Sequence, residues 1–355
     1  MKKIFYWCPF ISEVATVKAV INSCIGINKY NNNFKPCIIN CFGEFDEYKN
    51  QILKNQIEII NLNQSNFIKK IPSHGYIYSR LKYILIFFIS FLSLSKLIQK
   101  EKPSFFIAHL ITSLPLLLFK INNFNTKLIL RISGLPKLNI IRFYFWKFCS
   151  NEIFKITTPT EGTKNDLQNL NLFLNRKVVV LEDPILNIAD ILKQRKDKID
   201  DKFLKKQKYI LGIGRLTEQK NFALLIHHFN RIKKIDNQIK LVILGTGEKE
   251  EYLKSLIRKF KLDERVYLLV HKKNVHKYLY NCVFFILTSL WEDPGFVLIE
   301  AAANRALILS SDCPNGPSEF LEGNRCGYIF KNNNINDLGE KYNNLLIDNE
   351  NIKKN

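Results

Sequence analysis

The 355-residue sequence contains no Cys-x-x-Cys pair, although it has eight cysteines. That spacing is typical of zinc sites and of thiol–disulfide enzymes. The sequence also lacks a Gly-x-x-x-x-Gly-Lys-Ser/Thr loop, a Gly-x-Ser-x-Gly elbow and a His-Glu-x-x-His pair. These absences exclude a P-loop nucleotide hydrolase, a serine α/β-hydrolase and a zincin peptidase. Several cysteines lie within apolar segments, which indicates reduced, buried thiols in a cytosolic protein.

Acidic residues are scarce, with 32 against 53 basic residues and a net charge of +21. This balance favours an anionic partner, either a phosphorylated substrate or an acidic membrane surface. Lysine, asparagine and isoleucine are abundant throughout the chain, so general composition is the alternative explanation. Nucleic acid is not an expected partner, because the lysines are scattered and no zinc-finger or aromatic RNA-binding motif is present.

The longest uncharged apolar run is shorter than an ordinary bilayer span. The most apolar stretch, residues 83–95, lies between Lys82 and Lys96 and holds 13 uncharged residues, whereas a span needs about 20. It predicts an interfacial helix flanked by basic residues that suit anionic lipids, or an ordinary core helix. The opening MKKIFYWCPF is too short for a signal peptide and predicts a strand. The expected location is the cytoplasm, or the inner face of the cytoplasmic membrane.

Strand and helix patterns alternate along both halves of the chain. Short apolar runs predict strands at 4–7, 37–41, 57–60, 105–108, 128–132, 153–157, 178–181, 209–213, 240–244, 266–270, 283–287 and 306–310. Helices are predicted at 14–26, 76–99, 138–148, 163–170, 222–234, 248–261, 275–281 and 296–304, with one short helix in the Asn-rich end. Two blocks of βα units imply two doubly wound parallel sheets. We expect domains at 1–186 and 208–355, a linker at 187–207, and a ligand site in the cleft between them.

The segment SLWEDPGFVLIE, residues 289–300, has the layout of a strand, a tight turn and a helix. A helix that starts near Gly295 directs its free amides and positive dipole end toward the turn, which favours phosphate. Glu292 lies in the turn, and Glu300 follows about one and a half helical turns later. One carboxylate is placed for a sugar beside the phosphate and the other for a second polyol such as a ribose. The pattern indicates a nucleotide-sugar site.

A second candidate segment, GIGRLTEQKN at residues 212–221, follows the first strand of the second half. Gly214 allows a tight backbone turn. Arg215 and Lys220 then place two cations beside the start of the next helix, and a departing diphosphate needs such charge. Another glycine turn, at Gly245, is a weak signal by itself.

The order and spacing of these segments resemble the retaining glycosyltransferases of family 4 (glycosyl transferases group 1). The resemblance implies the GT-B architecture, in which two doubly wound Rossmann-like domains face a central cleft. In that family the turn usually reads Glu-x-Phe-Gly, and Pro294 replaces the phenylalanine here. Proline donates no N–H, so the donor-facing amides that remain are those of Gly295, Phe296 and Val297.

The resemblance also implies roles for individual residues. Arg215 and Lys220 would hold the donor diphosphate, Glu292 the transferred sugar and Glu300 the ribose. We take Arg215, Lys220 and Glu292 as the catalytic set. The remaining donor-side candidates are Gly214, Gly245 and His271, the last of which would contact the base.

The first half matches the family less closely. No glycine precedes Gly26 in the loop after the first strand, and no histidine follows the middle strand. Ser12, His109 and Arg131 are the acceptor-side candidates. In the second half, Gly316, Pro317 and Glu319 match the family's Gly-Pro-x-Glu segment, and a structural role for Glu319 is favoured over a donor contact.

The sequence thus predicts a retaining glycosyltransferase that moves a hexose-type sugar from a UDP- or GDP-sugar. The acceptor would be lipid-linked or a saccharide, in cell-surface polysaccharide or lipopolysaccharide biosynthesis. No cofactor and no metal are expected, because the chain has no Asp-x-Asp pair in an acidic loop and cationic side chains can replace a metal ion. The alternatives are a non-catalytic sugar-nucleotide or glycan-binding subunit and a basic nucleic-acid-binding protein.

Overall fold

The computed structural model describes residues 1–11, 15–63, 76–136, 138–204, 207–233 and 237–354. The chain divides into two compact units, Met1–Ile185 and Leu186–Asn355. Each unit has one parallel sheet with helices on both faces, which confirms the prediction of two doubly wound Rossmann-like domains.

The first unit is built on a seven-stranded sheet whose strand pairs are all parallel. The strands are β1 (Lys2–Trp7), β2 (Phe34–Asn40), β3 (Glu58–Asn61), β4 (Phe105–Ala108), β5 (Lys127–Arg131), β6 (Ile153–Thr158) and β7 (Val178–Val180). Their order is β3-β2-β1-β4-β5-β6-β7. The strand order therefore reverses between β1 and β4, where such sheets bind ligands beyond their carboxyl ends.

The described residues of the first unit form six helices: α1 (Ala15–Tyr30), α2 (Lys49–Lys54), α3 (Tyr76–Glu101), α4 (Ser113–Ile121), α5 (Ile140–Cys149) and α6 (Glu161–Asn169). Successive strand residues point to opposite faces. Phe5 and Trp7 of β1 pack in one core with α3, α4 and α5, whereas Ile4 and Tyr6 pack in another with α1 and α2. Burial on both faces explains why the strands are continuous apolar runs.

The second unit has a six-stranded parallel sheet of order β10-β9-β8-β11-β12-β13. Its strands are β8 (Tyr209–Ile213), β9 (Lys240–Leu244), β10 (Val266–Leu269), β11 (Phe284–Leu287), β12 (Ile308–Asp312) and β13 (Tyr328–Lys331). Within this unit the order is 3-2-1-4-5-6, so the reversal point lies between β8 and β11. The segments that carry both sequence motifs follow these two strands.

Seven helices complete the second unit: α7 (Ile188–Gln194), α8 (Phe222–Ile232), α9 (Glu250–Lys259), α10 (His276–Asn281), α11 (Phe296–Ala303), α12 (Pro317–Phe320) and α13 (Ile335–Lys354). Helices α8, α9 and α13 share one core with the sheet. Helices α10 and α11 share the core on the opposite face.

The described residues of the region predicted as a linker, 187–204 and 207, belong to the second unit. It contains α7, and Asn274 donates to the Gln194 carbonyl at 2.8 Å. The Lys277 ammonium lies 2.8 Å from the Asp200 carboxylate, and Leu204 is buried in the core. The polar composition of this region indicated a linker, but charged side chains within it, such as Asp200, form contacts with the rest of the second unit.

The C-terminal helix is longer than the short helix predicted there. Helix α13 has 20 residues, and Leu338, Tyr342 and Leu345 are buried in the core that α13 shares with α8 and α9. Their spacing of four and three residues places them on one helical face. The asparagines before, between and after them hid that apolar stripe in the sequence.

Candidate active site

The candidate catalytic residues of the second unit lie at the carboxyl ends of β8 and β11. Gly214 and Arg215 directly follow β8, and Lys220 ends the same loop, two residues before α8. Glu292 lies in the loop between β11 and α11. Because both strands flank the reversal point, the fold brings together two segments that are far apart in sequence.

Lys220 and Glu292 form a direct ion pair. The Lys220 Nζ lies 2.5 Å from Glu292 Oε1, and the two side chains are 14% and 4% exposed. The Ser289 hydroxyl contacts the same carboxylate oxygen, also at 2.5 Å. A charged pair in this position has lost much of its hydration, which costs free energy. Its placement at the ligand-binding edge of the sheet therefore favours a functional over a stabilising role.

Hydrogen bonds between the two loops fix this pair. The Leu290 amide donates to the Gln219 carbonyl at 2.8 Å, and the Gln219 side chain donates to the Trp291 carbonyl at 2.9 Å. The Thr288 hydroxyl donates to the Lys220 carbonyl at 3.0 Å. These bonds hold the backbone beside Lys220 against the backbone beside Glu292, so both charged groups are positioned before any ligand arrives.

Helix α11 begins where the sequence predicts. Gly295 precedes it with φ 86° and ψ 54°, a left-handed conformation that strains other residues. Phe296 and Val297 form the first turn, whose amides have no acceptor within the helix itself. Glu300, the fifth residue of α11, is half-buried one turn further on. The helix start and Glu292 thus lie at one edge of the sheet, as a phosphate-bearing sugar ligand would need.

The glycine loops after β8 and β9 touch each other. A Cβ on Gly245 would lie 1.8 Å from the Gly214 carbonyl oxygen, so no larger residue fits without separating the loops. The Leu216 amide donates to the Thr246 carbonyl at 2.9 Å. Arg215 lies between these contacts and is exposed. The loop after β9 therefore supports the loop that carries Arg215.

Two further candidates, His271 and Glu319, lie on other segments of the second unit. His271 is exposed in the loop after β10, the edge strand. Two strand spacings, about 10 Å, separate β10 from β8. Glu319 is exposed on the short helix α12, and Gly316 precedes that helix. The Glu292 amide donates to the Pro314 carbonyl at 3.1 Å, so this segment supports the Glu292 turn through its backbone.

The acceptor-side candidates belong to the first unit, and Ser12 lies outside the described residues. Arg131 ends β5 and is buried, with its guanidinium 2.7 Å from the Asp183 carboxylate. It also donates to the Leu181 carbonyl. Its charge is therefore balanced inside the unit, and its role on the acceptor side stays a prediction. The residues after β7 supply both partners because β5 and β7 end at the same edge.

His109 follows β4, next to the reversal point of the first sheet. Its amide donates to the Trp7 carbonyl at 2.9 Å, and its ring stacks on Tyr6 with centroids 6.0 Å apart. Both ring nitrogens are buried and have no hydrogen-bond partner among the described residues. Burial, with a smaller contribution from the Arg131 charge, lowers the pKa of His109 to about 3.

This shift makes the stability of the first unit pH-dependent. Between pH 6.5 and about 3, the unfolded chain binds a proton at His109 that the folded chain rejects, so stability falls as the pH drops through this range. His109→Phe keeps an aromatic ring at this position and removes the group that titrates. The free energy of unfolding should be measured with urea at several pH values from 7 to 4.5 and plotted against pH. The slope of that plot should be shallower by up to about 1.4 kcal/mol per pH unit in the variant. Parallel curves would show that His109 is protonated freely in the fold.

Sequence reasoning missed Ser289, which contacts the Glu292 carboxylate, and Ser311, whose hydroxyl donates to the Ser289 carbonyl at 2.6 Å. Both are buried although they are polar. The sequence signal for Ser289 was a hydroxyl group at the end of an uncharged, apolar segment, three residues before Glu292. Buried hydroxyl groups need hydrogen-bond partners. Here the partners are the Glu292 carboxylate for Ser289 and the Ser289 carbonyl for Ser311.

The site as a whole combines the buried Glu292 carboxylate, the Lys220 ammonium paired with it, the exposed Arg215 guanidinium and the N-terminus of α11. Among the residues that the structure describes, no group of three or more His, Cys, Asp or Glu could hold a metal ion. The arrangement can bind an anion at the helix start and hydroxyl groups at the carboxylates.

Comparison with known proteins supports the candidate site of the second unit. Residues 193–355 match the family model of glycosyl transferases group 1. An uncharacterized glycosyltransferase of Methanocaldococcus jannaschii is 32% identical over 252 residues, which cover 64% of this chain and 60% of the relative. The group 1 match contains the Arg215, Lys220, Glu292 and Glu300 segments.

A relative with a named reaction comes from Campylobacter jejuni subsp. jejuni. It is N-acetylgalactosamine-N,N'-diacetylbacillosaminyl-diphospho-undecaprenol 4-alpha-N-acetylgalactosaminyltransferase, 36% identical over 143 residues, or 40% of this chain and 38% of the relative. The chain thus spans less than two thirds of the length of either relative.

Among solved structures, HepE of Anabaena in complex with UDP and glucose superposes with a TM-score of 0.71 and 14% sequence identity. The match covers 99% of this chain and 91% of HepE. At this identity the likeness shows the fold alone, and it is the two-domain fold that the sequence predicted.

Proposed function

We propose that the chain is a retaining, metal-independent glycosyltransferase. It would transfer a hexose-type sugar from a UDP- or GDP-sugar to a lipid-linked or saccharide acceptor. The observation that carries the proposal is the buried Lys220–Glu292 pair at the reversal point of the second sheet. The start of α11 and the glycine loop after β8 lie at the same edge.

The charges of the site suit a leaving diphosphate. As the bond from the sugar's anomeric carbon to the phosphate oxygen breaks, negative charge grows on that oxygen. Lys220, Arg215 and the amides at the start of α11 would stabilise this charge where a metal ion does so in other transferases. Lys220 would then turn from Glu292 toward the diphosphate, leaving the Glu292 carboxylate to accept hydrogen bonds from the sugar hydroxyls.

In a single-step transfer, retention of configuration requires the acceptor to approach from the face that the diphosphate leaves. The acceptor oxygen forms the new glycosidic bond, and its proton passes to the departing phosphate oxygen, so no separate base is needed. Glu300, one turn along α11, would bind the ribose hydroxyls through charge-assisted hydrogen bonds. The remaining donor-side residue, His271, would contact the base.

The acceptor is proposed from chemistry and from similarity. The Campylobacter relative is named for an acceptor linked to undecaprenol through a diphosphate. A net charge of +21 suits such an anionic, lipid-linked acceptor. We therefore infer a role in cell-surface polysaccharide or lipopolysaccharide assembly, in the cytoplasm or at the inner face of the cytoplasmic membrane.

Donor binding is tested by thermal unfolding in the presence of UDP-, GDP- and other nucleotide sugars with EDTA. One donor class should raise the melting temperature, because a ligand at 100 times its Kd stabilises the folded state by about 2.7 kcal/mol. The rise should be the same with EDTA as with added Mg²⁺. Glu300→Gln should reduce it, since the variant loses the charge that strengthens the ribose contact.

The matched control is Glu251→Gln, which removes the same charge from an exposed position on α9 where Glu251 pairs with Lys254. It should respond to the donor as the unmodified chain does. A donor-induced rise that persists unchanged in Glu300→Gln would contradict the assignment of Glu300. No rise with any nucleotide sugar would contradict the donor site.

A further inference from the structure

Helix α3 presents a second apolar stripe, in addition to the one that packs on the sheet. Exposed side chains follow one another every four residues in the order Arg80, Ile84, Phe88, Leu92, Lys96 and Lys100. Such spacing places them on one face of the helix. The central three are 53%, 71% and 66% exposed. A surface helix normally carries polar residues on this face.

The inner stripe of α3 is already occupied. Ile86, Leu94 and Ile98 are buried in the core against the first sheet. By length and composition alone, residues Arg80–Glu101 could cross a membrane. However, a helix whose Ile86, Leu94 and Ile98 pack in the core of the first unit would have to leave that core to do so. The exposed stripe is therefore available only for contact at a surface.

Helix α5, in the same core layer as α3, also exposes apolar side chains. Its exposed side chains are Ile140, Ile141, Tyr144 and Phe148, which are 77%, 80%, 64% and 63% exposed. Helices α3 and α5 pack in the same core layer, with α4 in contact with both. We call the exposed apolar residues of α3 and α5 the apolar face.

The charged residues of helices α3 and α5 are almost all basic, although Lys82 is buried. Helices α3 and α5 carry six basic residues and a single acidic one, Glu101. The Glu101 carboxylate is paired with Lys3 at 2.8 Å. Two copies of this face would bring like charges together, which disfavours self-association. An anionic surface is complementary to it.

We propose that the apolar face docks the protein on an anionic lipid bilayer, with α3 lying flat in the interface. Ile84, Phe88 and Leu92 enter the boundary between headgroups and acyl chains, while Arg80 and Lys96 reach the anionic headgroups. The exposed stripe from Arg80 to Lys100 is about 30 Å long. A bilayer provides a flat apolar layer of that extent beneath negative charge.

Vesicle flotation tests the proposal with the full chain. Vesicles of phosphatidylglycerol and phosphatidylcholine should bind the protein at least about tenfold more strongly than phosphatidylcholine alone at low salt. A triple variant, Ile84→Ser, Phe88→Ser and Leu92→Ser, should lower the partition coefficient by at least about tenfold. Lys96→Gln and Lys100→Gln should each lower it about fivefold on anionic vesicles.

The control is Leu53→Ser on α2, which removes an apolar side chain of similar exposure, 53%, from the opposite layer of the first unit. It should bind vesicles as the unmodified chain does. Failure of the unmodified chain to bind anionic vesicles would overturn the proposal, as would full binding by the triple variant. A dimer that the triple variant dissociates, without vesicle binding, would assign the face to a second copy instead. Because the readout is binding, none of these outcomes depends on transferase activity.

Discussion

Replacing Lys220 with methionine is expected to lower the turnover of sugar transfer by about 10²–10³-fold, the range for losing one preorganised charge-stabilising donor. Methionine keeps most of the side-chain length but cannot stabilise the leaving diphosphate. The variant also leaves the Glu292 carboxylate, 4% exposed, without its cation. The melting temperature should therefore fall as well, because an uncompensated buried charge destabilises the fold.

Steady-state rates with the identified donor separate these two effects. If Lys220 acts mainly in the transition state, kcat should fall more than the affinity for the donor. Lys254→Met is the matched control, since Lys254 pairs with exposed acids on α9 and the loss of charge is the same. A Lys220→Met variant that retains more than about a fifth of the normal turnover would contradict the role assigned to Lys220.

The second large effect is expected from Gly245→Ala. The added Cβ would lie 1.8 Å from the Gly214 carbonyl oxygen, so the loops after β8 and β9 must separate. Arg215 follows Gly214 directly, and a displacement of about 1 Å at a reacting centre can cost about 10²-fold in rate. We expect kcat/KM to fall by about that factor, together with a lower melting temperature.

Gly339→Ala is the matched control for that substitution. Gly339 lies in α13, and a Cβ there would meet nothing within 4 Å. Alanine favours the helix over glycine by about 0.5–1 kcal/mol, so stability should rise slightly and kcat/KM should not change. Normal kcat/KM in Gly245→Ala would mean that the contact between the two loops does not position Arg215.

Most of the fold could be predicted because the sheets are buried on both faces. Twelve of the thirteen strands appear in the sequence as apolar runs. Helix α4 was missed, since Pro115 falls within its apolar segment, although proline is tolerated in a first helical turn. The short strand β13 was also missed. The extent of α13 was missed because its buried residues, Leu338, Tyr342 and Leu345, are spaced among polar ones.

The candidate site could be predicted only in part. The order of Arg215, Lys220, Glu292 and Glu300 along the chain was visible in the sequence. The contact between Lys220 and Glu292 was not, because it depends on β8 and β11 being neighbours. Ser289 and Ser311 were missed for the same reason. Neither the Arg131–Asp183 pair nor the burial of His109 left a local sequence signal, since both arise from the packing of separate strand ends.

The most direct test of the donor site and its chemistry is release of nucleoside diphosphate from UDP- and GDP-sugars in EDTA. It should be measured with and without polyprenyl-diphosphate-linked saccharides as acceptors. One donor class should release its nucleoside diphosphate in an acceptor-dependent way, and Glu292→Gln and Lys220→Met should each abolish most of that release. Donor binding without release from any donor, with or without acceptor, would instead identify a non-catalytic sugar-nucleotide-binding subunit and contradict the transferase.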